Sequence, residues 1–171
     1  MCQAISGIAV KTGETVKIYT LRHEDSHEKI RDKYKIKDNN SPASFYQTPV
    51  ELIPVTSLFE VAGMKFKFDD ERPNWWTDEM TGEAIKQLYQ AWRDRWDGKI
   101  LIFKGSLNLG SLTSIPEGVT LSAGGGLYLS SLTSIPEGVN LSAGGGLYLG
   151  SLTAIPEGVN VKAKYINLKE N

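Results

Sequence analysis

The sequence predicts an α+β N-terminal domain followed by a short β-solenoid, because its composition breaks sharply and its second part repeats every twenty residues. Of 171 residues, the first hundred hold 15 of the 19 basic and 16 of the 20 acidic side chains. All four tryptophans, Trp75, Trp76, Trp92 and Trp96, fall there as well. The remainder holds most of the glycine, with only four Lys and four Glu. Two compositions imply two building plans, 1–97 and 98–171, meeting near Asp97-Gly98-Lys99.

In rows of twenty, residues 101–160 read LIFKGSLNLGSLTSIPEGVT, LSAGGGLYLSSLTSIPEGVN and LSAGGGLYLGSLTAIPEGVN. A degenerate fourth row, VKAKYINLKEN, follows. A fixed period of this kind signals coils that stack on one another. Leu127, Leu129, Leu132, Ile135, Val139 and Leu141 alternate mainly with small or polar residues, which is the period of short strands. Pro136 and Gly138 bend the chain, and Gly124-Gly125-Gly126 bends it again. Stacking then aligns Leu109, Leu129 and Leu149 in one column and Ile115, Ile135 and Ile155 in another. Lys162, Lys164, Lys169 and Glu170 stand in the last row where charge would cap an open end, and the first domain is expected to cover the other.

The L-x-L-x-x-L-x-x-I-P run resembles the short leucine-rich repeats of bacterial and phage proteins over about residues 101–168. It departs from them where Ser130 and Ser131 replace the usual asparagine after the strand. A leucine-rich horseshoe and a tighter β-solenoid both remain open on this pattern.

In the first part, Ile5, Ile8 and Val10, the turn Lys11-Thr12-Gly13-Glu14, and Val16, Ile18 and Thr20 read as a hairpin. Asp25-Ser26-His27-Glu28 has the form of a helix start, with Asp25 as N-cap and Glu28 closing the box. Ile30 and Tyr34 share a face of that helix, which should end near Ile36, before Asp38-Asn39-Asn40. Residues 45–53 and Met64 to Phe68 read as strands. Thr77-Asp78-Glu79 opens a second helix with Ile85, Leu88, Tyr89, Trp92 and Trp96 as its apolar stripe. The D-S-H-E segment (25–28) and the E-R-P-N-W-W-T-D-E-M segment (71–80) are similar to those of small phage-encoded domains that begin with Met-Cys. That resemblance implies a phage origin and carries no chemistry with it.

His23-Glu24-Asp25-Ser26-His27 has the H-E-x-x-H spacing of zinc hydrolases, in which two histidines share a helix face and the glutamate activates water. With a cap at Asp25, His23 lies before the helix and His27 in its first turn, so the two do not share a face. A third ligand, such as Glu51 or Glu60, would have to come from elsewhere. No metal or other cofactor is therefore expected.

Cys2 is the second candidate. Removal of Met1 would leave an amine beside the thiol, as in N-terminal nucleophile hydrolases. The start Met-Cys-Gln-Ala-Ile faintly resembles that of class II glutamine amidotransferases, departing from it at Gln3. The alternative is a cysteine acting as a small hydrophobe at a strand start.

Trp75 and Trp76, beside Asp69-Asp70-Glu71, could anchor a ligand or partner, although one of them buried at a helix start also explains the pair. Arg93 and Arg95 read as the solvated face of the second helix. Glu117, Glu137 and Glu157 form a column at the bends. Tyr128 and Tyr148, continuing a row from Asn108, are the best nominees for contact with a partner.

The formal net charge of −1 gives no field to condense on a polynucleotide or an anionic membrane. With Cys2 as its only cysteine, the chain can form no internal disulfide, which fits a reducing cytoplasm, and no apolar run is long enough to span a bilayer. The sequence therefore points to a non-catalytic protein-binding module working through its repeat surface, against a host or defence protein if phage-encoded. A small hydrolase or nucleotide-binding domain at residues 1–97 is the alternative. Self-association through a solenoid end is also open.

Overall fold

A computed structural model describes residues 2–37 and 46–171. The first part is a four-stranded antiparallel sheet in the order β2-β1-β3-β4, built from β1 (Ser6–Thr12), β2 (Thr15–Tyr19), β3 (Gln47–Pro54) and β4 (Met64–Phe68). Gly13, at φ 63°, makes the two-residue turn that pairs Thr12 with Thr15. β3 is central and buried along its whole length, so Val50 and Leu52 enter the core while Thr48 and Glu51 are buried polar residues.

Two helices pack on this sheet. In α1 (His27–Tyr34) the N-cap is Ser26, whose hydroxyl accepts from the Lys29 amide, and not Asp25 as expected. Asp25 is withdrawn instead into a buried ion pair with Arg95, so its side chain is not available to cap. The helix ends two residues earlier than the pattern suggested, on Lys35 in a left-handed conformation. The expected stop at Asp38-Asn39-Asn40 and the strand start at residue 45 lie outside the described residues. α2 (Asp78–Arg93) is capped by Thr77 and buries Met80, Ala84, Leu88 and Trp92. Trp96 is not part of its stripe: the helix has ended, and Trp96 lies in the short strand β5 (Trp96–Asp97).

Residues 100–168 form a β-solenoid of about three turns, each coil giving one strand to each of two sheets. One sheet has the order β12-β10-β8-β6-β5, built on β6 (Ile100–Phe103), β8 (Thr120–Ala123), β10 (Asn140–Ala143) and β12 (Asn160–Lys162). The other, β13-β11-β9-β7, contains β7 (Leu107–Asn108), β9 (Leu127–Tyr128), β11 (Gly146–Leu149) and β13 (Tyr165–Leu168). Successive coils are parallel and in register at twenty residues, as in Leu121 to Leu141 and Leu127 to Leu147. The last pairing of the second sheet slips to nineteen, Gly146 facing Tyr165, because the two residues Ala163-Lys164 stand where the preceding coil has three, Ala143-Gly144-Gly145. Gly138 takes φ 79° at its bend, and a Cβ on Gly144 would run into the carbonyl of Gly124 in the coil below.

Serine does the work at the position where the leucine-rich pattern has asparagine. The Ser131 hydroxyl donates to the Gly110 carbonyl, and Ser151 donates to the Ser130 carbonyl at 2.6 Å. Each coil is thereby tied to the one before it.

The first part covers one end of the solenoid. β5 pairs antiparallel with β6, the Ala4 amide donates to the Asn108 carbonyl at 3.0 Å, and the Thr113 amide donates to Val55 at 2.7 Å. One apolar core runs from Ala4 and Trp92 through Phe103 to Leu152. At the other end β12 and β13 are outer strands, with Tyr165 and Ile166 exposed and Lys162 and Lys164 beside them. No helix among the described residues is long and apolar enough to cross a membrane.

Candidate thiol and imidazole site

The fold gathers side chains from four separate segments beside the start of β1. Cys2 enters just before that strand, and His27 opens α1, where its ring is buried. Glu51 lies on β3, Lys67 on β4, and Asp69 follows β4. The register that sets Glu51 opposite Lys67 is the one that pairs Leu52 with Phe66. The polar cluster is therefore held in place by the same strand pairing that builds the hydrophobic core.

Cys2 Sγ lies 3.5 Å from His27 Nδ1. The other ring nitrogen, Nε2, lies 3.4 Å from the Val50 carbonyl. A carbonyl can only accept, so this contact places a proton on Nε2 and leaves the Nδ1 lone pair facing the thiol. Asp69 Oδ2 is 3.4 Å from the same Nδ1, where it stabilises the ring once it is protonated.

The hydrogen bond with His27 holds the Cys2 thiol below its ordinary pKa, against a smaller upward push from burial. Burial presses His27 down, but the hydrogen bond and charge of Cys2, the Val50 carbonyl and Asp69 together leave its pKa raised. Both shifts favour a thiolate beside an imidazolium.

Glu51 completes the cluster. Its Oε1 accepts from the Gln3 amide at 3.0 Å, fixing the residue next to Cys2. Its Oε2 lies 3.0 Å from Lys67 Nζ, which also approaches Asp69 at 3.7 Å. The ion pairing with Glu51, and secondarily with Asp69, raises the Lys67 pKa. Cys2, His27 and Glu51 each offer a donor atom, and these atoms lie within 4.8 Å of one another.

HEDSH does not form a helical zinc pair. His23 lies outside α1 with Nδ1 3.3 Å from the Ile102 carbonyl, and Glu24 pairs with Lys29 at 2.8 Å. Only His27 of that motif enters the cluster. The sequence offered no signal that His27 would meet Cys2, or that Glu51, Lys67 and Asp69 would join them, because the contacts that assemble the cluster span up to 48 positions of chain.

The remaining candidates lie elsewhere. Trp76 is buried, donates to the Thr81 hydroxyl and packs on Phe66 and Phe68. Trp75 is half-buried and lines a cavity of about 460 Å³ with Arg31, Pro49, Asp70 and Arg72. Arg95 is not solvated but 6 % exposed, between the rings of Trp92 and Phe103. Tyr128 and Tyr148 stack with centroids 4.3 Å apart and planes 3° from parallel, and Tyr148 shares a hydrogen bond with Tyr165. Asn108, half-buried and opposite Tyr128, accepts from the Gly110 amide. Glu117, Glu137 and Glu157 are all exposed.

Compared with known proteins, the chain matches no family model, no curated protein and no solved structure.

Proposed function

We propose that residues 2–97 carry a nucleophilic thiol, Cys2, deprotonated by His27 with Asp69 steadying the imidazolium, and that the solenoid holds the macromolecule on which it acts. The observation that supports this reading is the 3.5 Å approach of Cys2 Sγ to the unprotonated face of His27. A nucleophile within reach of a base that is itself oriented by a third group is the general form of covalent catalysis. The thiolate forms a bond to an electrophilic centre, and His27 Nδ1 returns the proton to the departing group.

The nearby amides narrow the reaction class. Gln3 N–H is held by Glu51, Ala4 N–H by Asn108 and Ile5 N–H by Leu52. None of the three is free to stabilise the oxyanion that amide hydrolysis builds up, a contribution worth about 2.7–4 kcal/mol per donor. Transfer at an activated thioester or at a disulfide sulfur, which needs less of that help or none, suits the site better than peptide hydrolysis.

Alkylation by iodoacetamide at neutral pH tests the reading. A free cysteine is only a few per cent thiolate there, so His27→Ala is expected to slow the reaction about tenfold. Asp69→Asn should fall in between. Equal rates in wild type and His27→Ala would refute the thiol reading.

A second reading, a binding module with no chemistry, draws on the stacked Tyr128 and Tyr148 rings. Leucine-rich-repeat kinship, supported by the L-x-L-x-x-L-x-x-I-P spacing, would suit it. The likeness of residues 25–28 and 71–80 to phage domains favours a host or defence protein as target. On that reading, alanine at both tyrosines abolishes retention of a partner from host lysate, and His27→Ala does not. Retention by the double-alanine chain would rule it out.

A further inference from the structure

We propose that Cys2, His27 and Glu51 also form a zinc site. This goes beyond the nucleophile reading and does not rest on it, although two side chains are shared. Thiolate, imidazole and carboxylate are the three protein donors zinc takes, and three protein ligands leave a fourth position for water, as in open zinc sites.

The geometry is close to what the ion needs. Zinc bonds of about 2.0–2.3 Å place tetrahedral ligand atoms roughly 3.3–3.8 Å apart. The three donors here lie within 4.8 Å of one another, so an inward shift of about 1 Å closes the site. Cys2 can supply it, being half-buried and ahead of the first strand. His27 is already arranged as metal-bound histidines are, with its second nitrogen on a backbone carbonyl, that of Val50.

Glu51 provides the independent reason to expect a cation. Its side chain is 1 % exposed, and Oε2 accepts no aligned hydrogen bond among the described residues. A buried carboxylate oxygen in that condition is costly unless a positive charge answers it. Lys67 now does so from 3.0 Å, but its side chain is 38 % exposed and it has a second carboxylate, Asp69, at 3.7 Å. The ammonium is a replaceable counter-ion: zinc takes Glu51, and Lys67 moves to Asp69.

The test is zinc affinity of the full chain, by competition with a chromophoric chelator. One zinc per chain is expected, with affinity falling by at least about tenfold in Cys2→Ser and in Glu51→Gln, since even outer-shell changes cost that much. Lys67→Met should bind zinc more tightly, because the competing ammonium is gone. Cobalt substitution adds a readout independent of stability: a thiolate-to-metal absorption band in wild type that Cys2→Ser lacks. Absence of stoichiometric zinc, affinity indifferent to Cys2→Ser, or a cobalt spectrum without the thiolate band would each overturn the site. Run beside metal-free alkylation, the assay keeps the two readings apart. No zinc with His27-dependent thiol reactivity discards only the metal site; zinc with an unactivated thiol discards only the nucleophile.

Discussion

Arg95→Met is expected to destabilise the protein by about 3–5 kcal/mol, the usual cost of breaking a buried ion pair from one side. Against a total stability of about 5–15 kcal/mol for a domain, that loss would bring the chain close to unfolding at ordinary temperature. Arg95 reaches both oxygens of Asp25 at 3.2–3.3 Å and donates to the Leu21 carbonyl at 2.7 Å. Asp25 Oδ1 in turn accepts from the Ser6 amide at 3.0 Å. One guanidinium thus links the approach to α1, the start of β1 and the end of α2, and its stacking on Phe103 adds the first coil.

Methionine fills the space between the Trp92 and Phe103 rings and leaves the Asp25 charge buried without a counter-ion. Asp25→Asn in the same chain removes that charge and keeps an acceptor for Ser6. The double variant should therefore recover about 1–3 kcal/mol relative to simple addition of the two losses. Burial pushes the Asp25 carboxyl above its ordinary pKa, with Arg95 opposing the shift. A carboxyl raised in the folded state favours folding when protonated, so the Arg95→Met deficit should shrink as pH falls through the acid range. Urea titrations at neutral and acid pH measure all of this; a loss under 1 kcal/mol, or one that does not vary with pH, contradicts it.

The repeat was legible because its signal is local and redundant. Leu129 and Ile135 each recur at a fixed interval, and strand, bend and register follow from that interval alone. The single exception, the slip that sets Tyr165 opposite Gly146, comes from one missing residue in the least regular row. The site was not legible for the converse reason. Cys2, His27, Glu51 and Asp69 sit in four segments that no short-range pattern relates, and it takes the β1-β3-β4 pairing and the packing of α1 on β1 to bring them together. Asp25 and Arg95 were misread for a related reason. A charged residue at a helix end looks like a cap or a solvated face until its partner 70 positions away is known.

Leu129→Ala should cost about 2–5 kcal/mol, the range for emptying a fully buried leucine site. Leu129 is wholly buried, and its amide donates to the Tyr148 carbonyl at 2.8 Å, tying its coil to the next. The parallel ladder fixes the spacing between coils at roughly 4.8 Å, which limits collapse into the cavity and puts the expected loss in the upper half of the range. Coils contact only their neighbours, so the damage should spread in one direction. The coils before Leu129 remain anchored through Ala4, Val55 and β5, while those after it make no backbone hydrogen bond to the first part among the described residues. Amide hydrogen exchange should therefore show protection lost from Asn140–Ala143 onward and kept in Ile100–Phe103. Leu168→Ala, a half-buried residue at the end of the otherwise exposed last strand, should change stability by less than about 1 kcal/mol. Uniform loss of protection across both halves would mean that the solenoid and the α+β part unfold as one unit, and the anchored-end account would then fail.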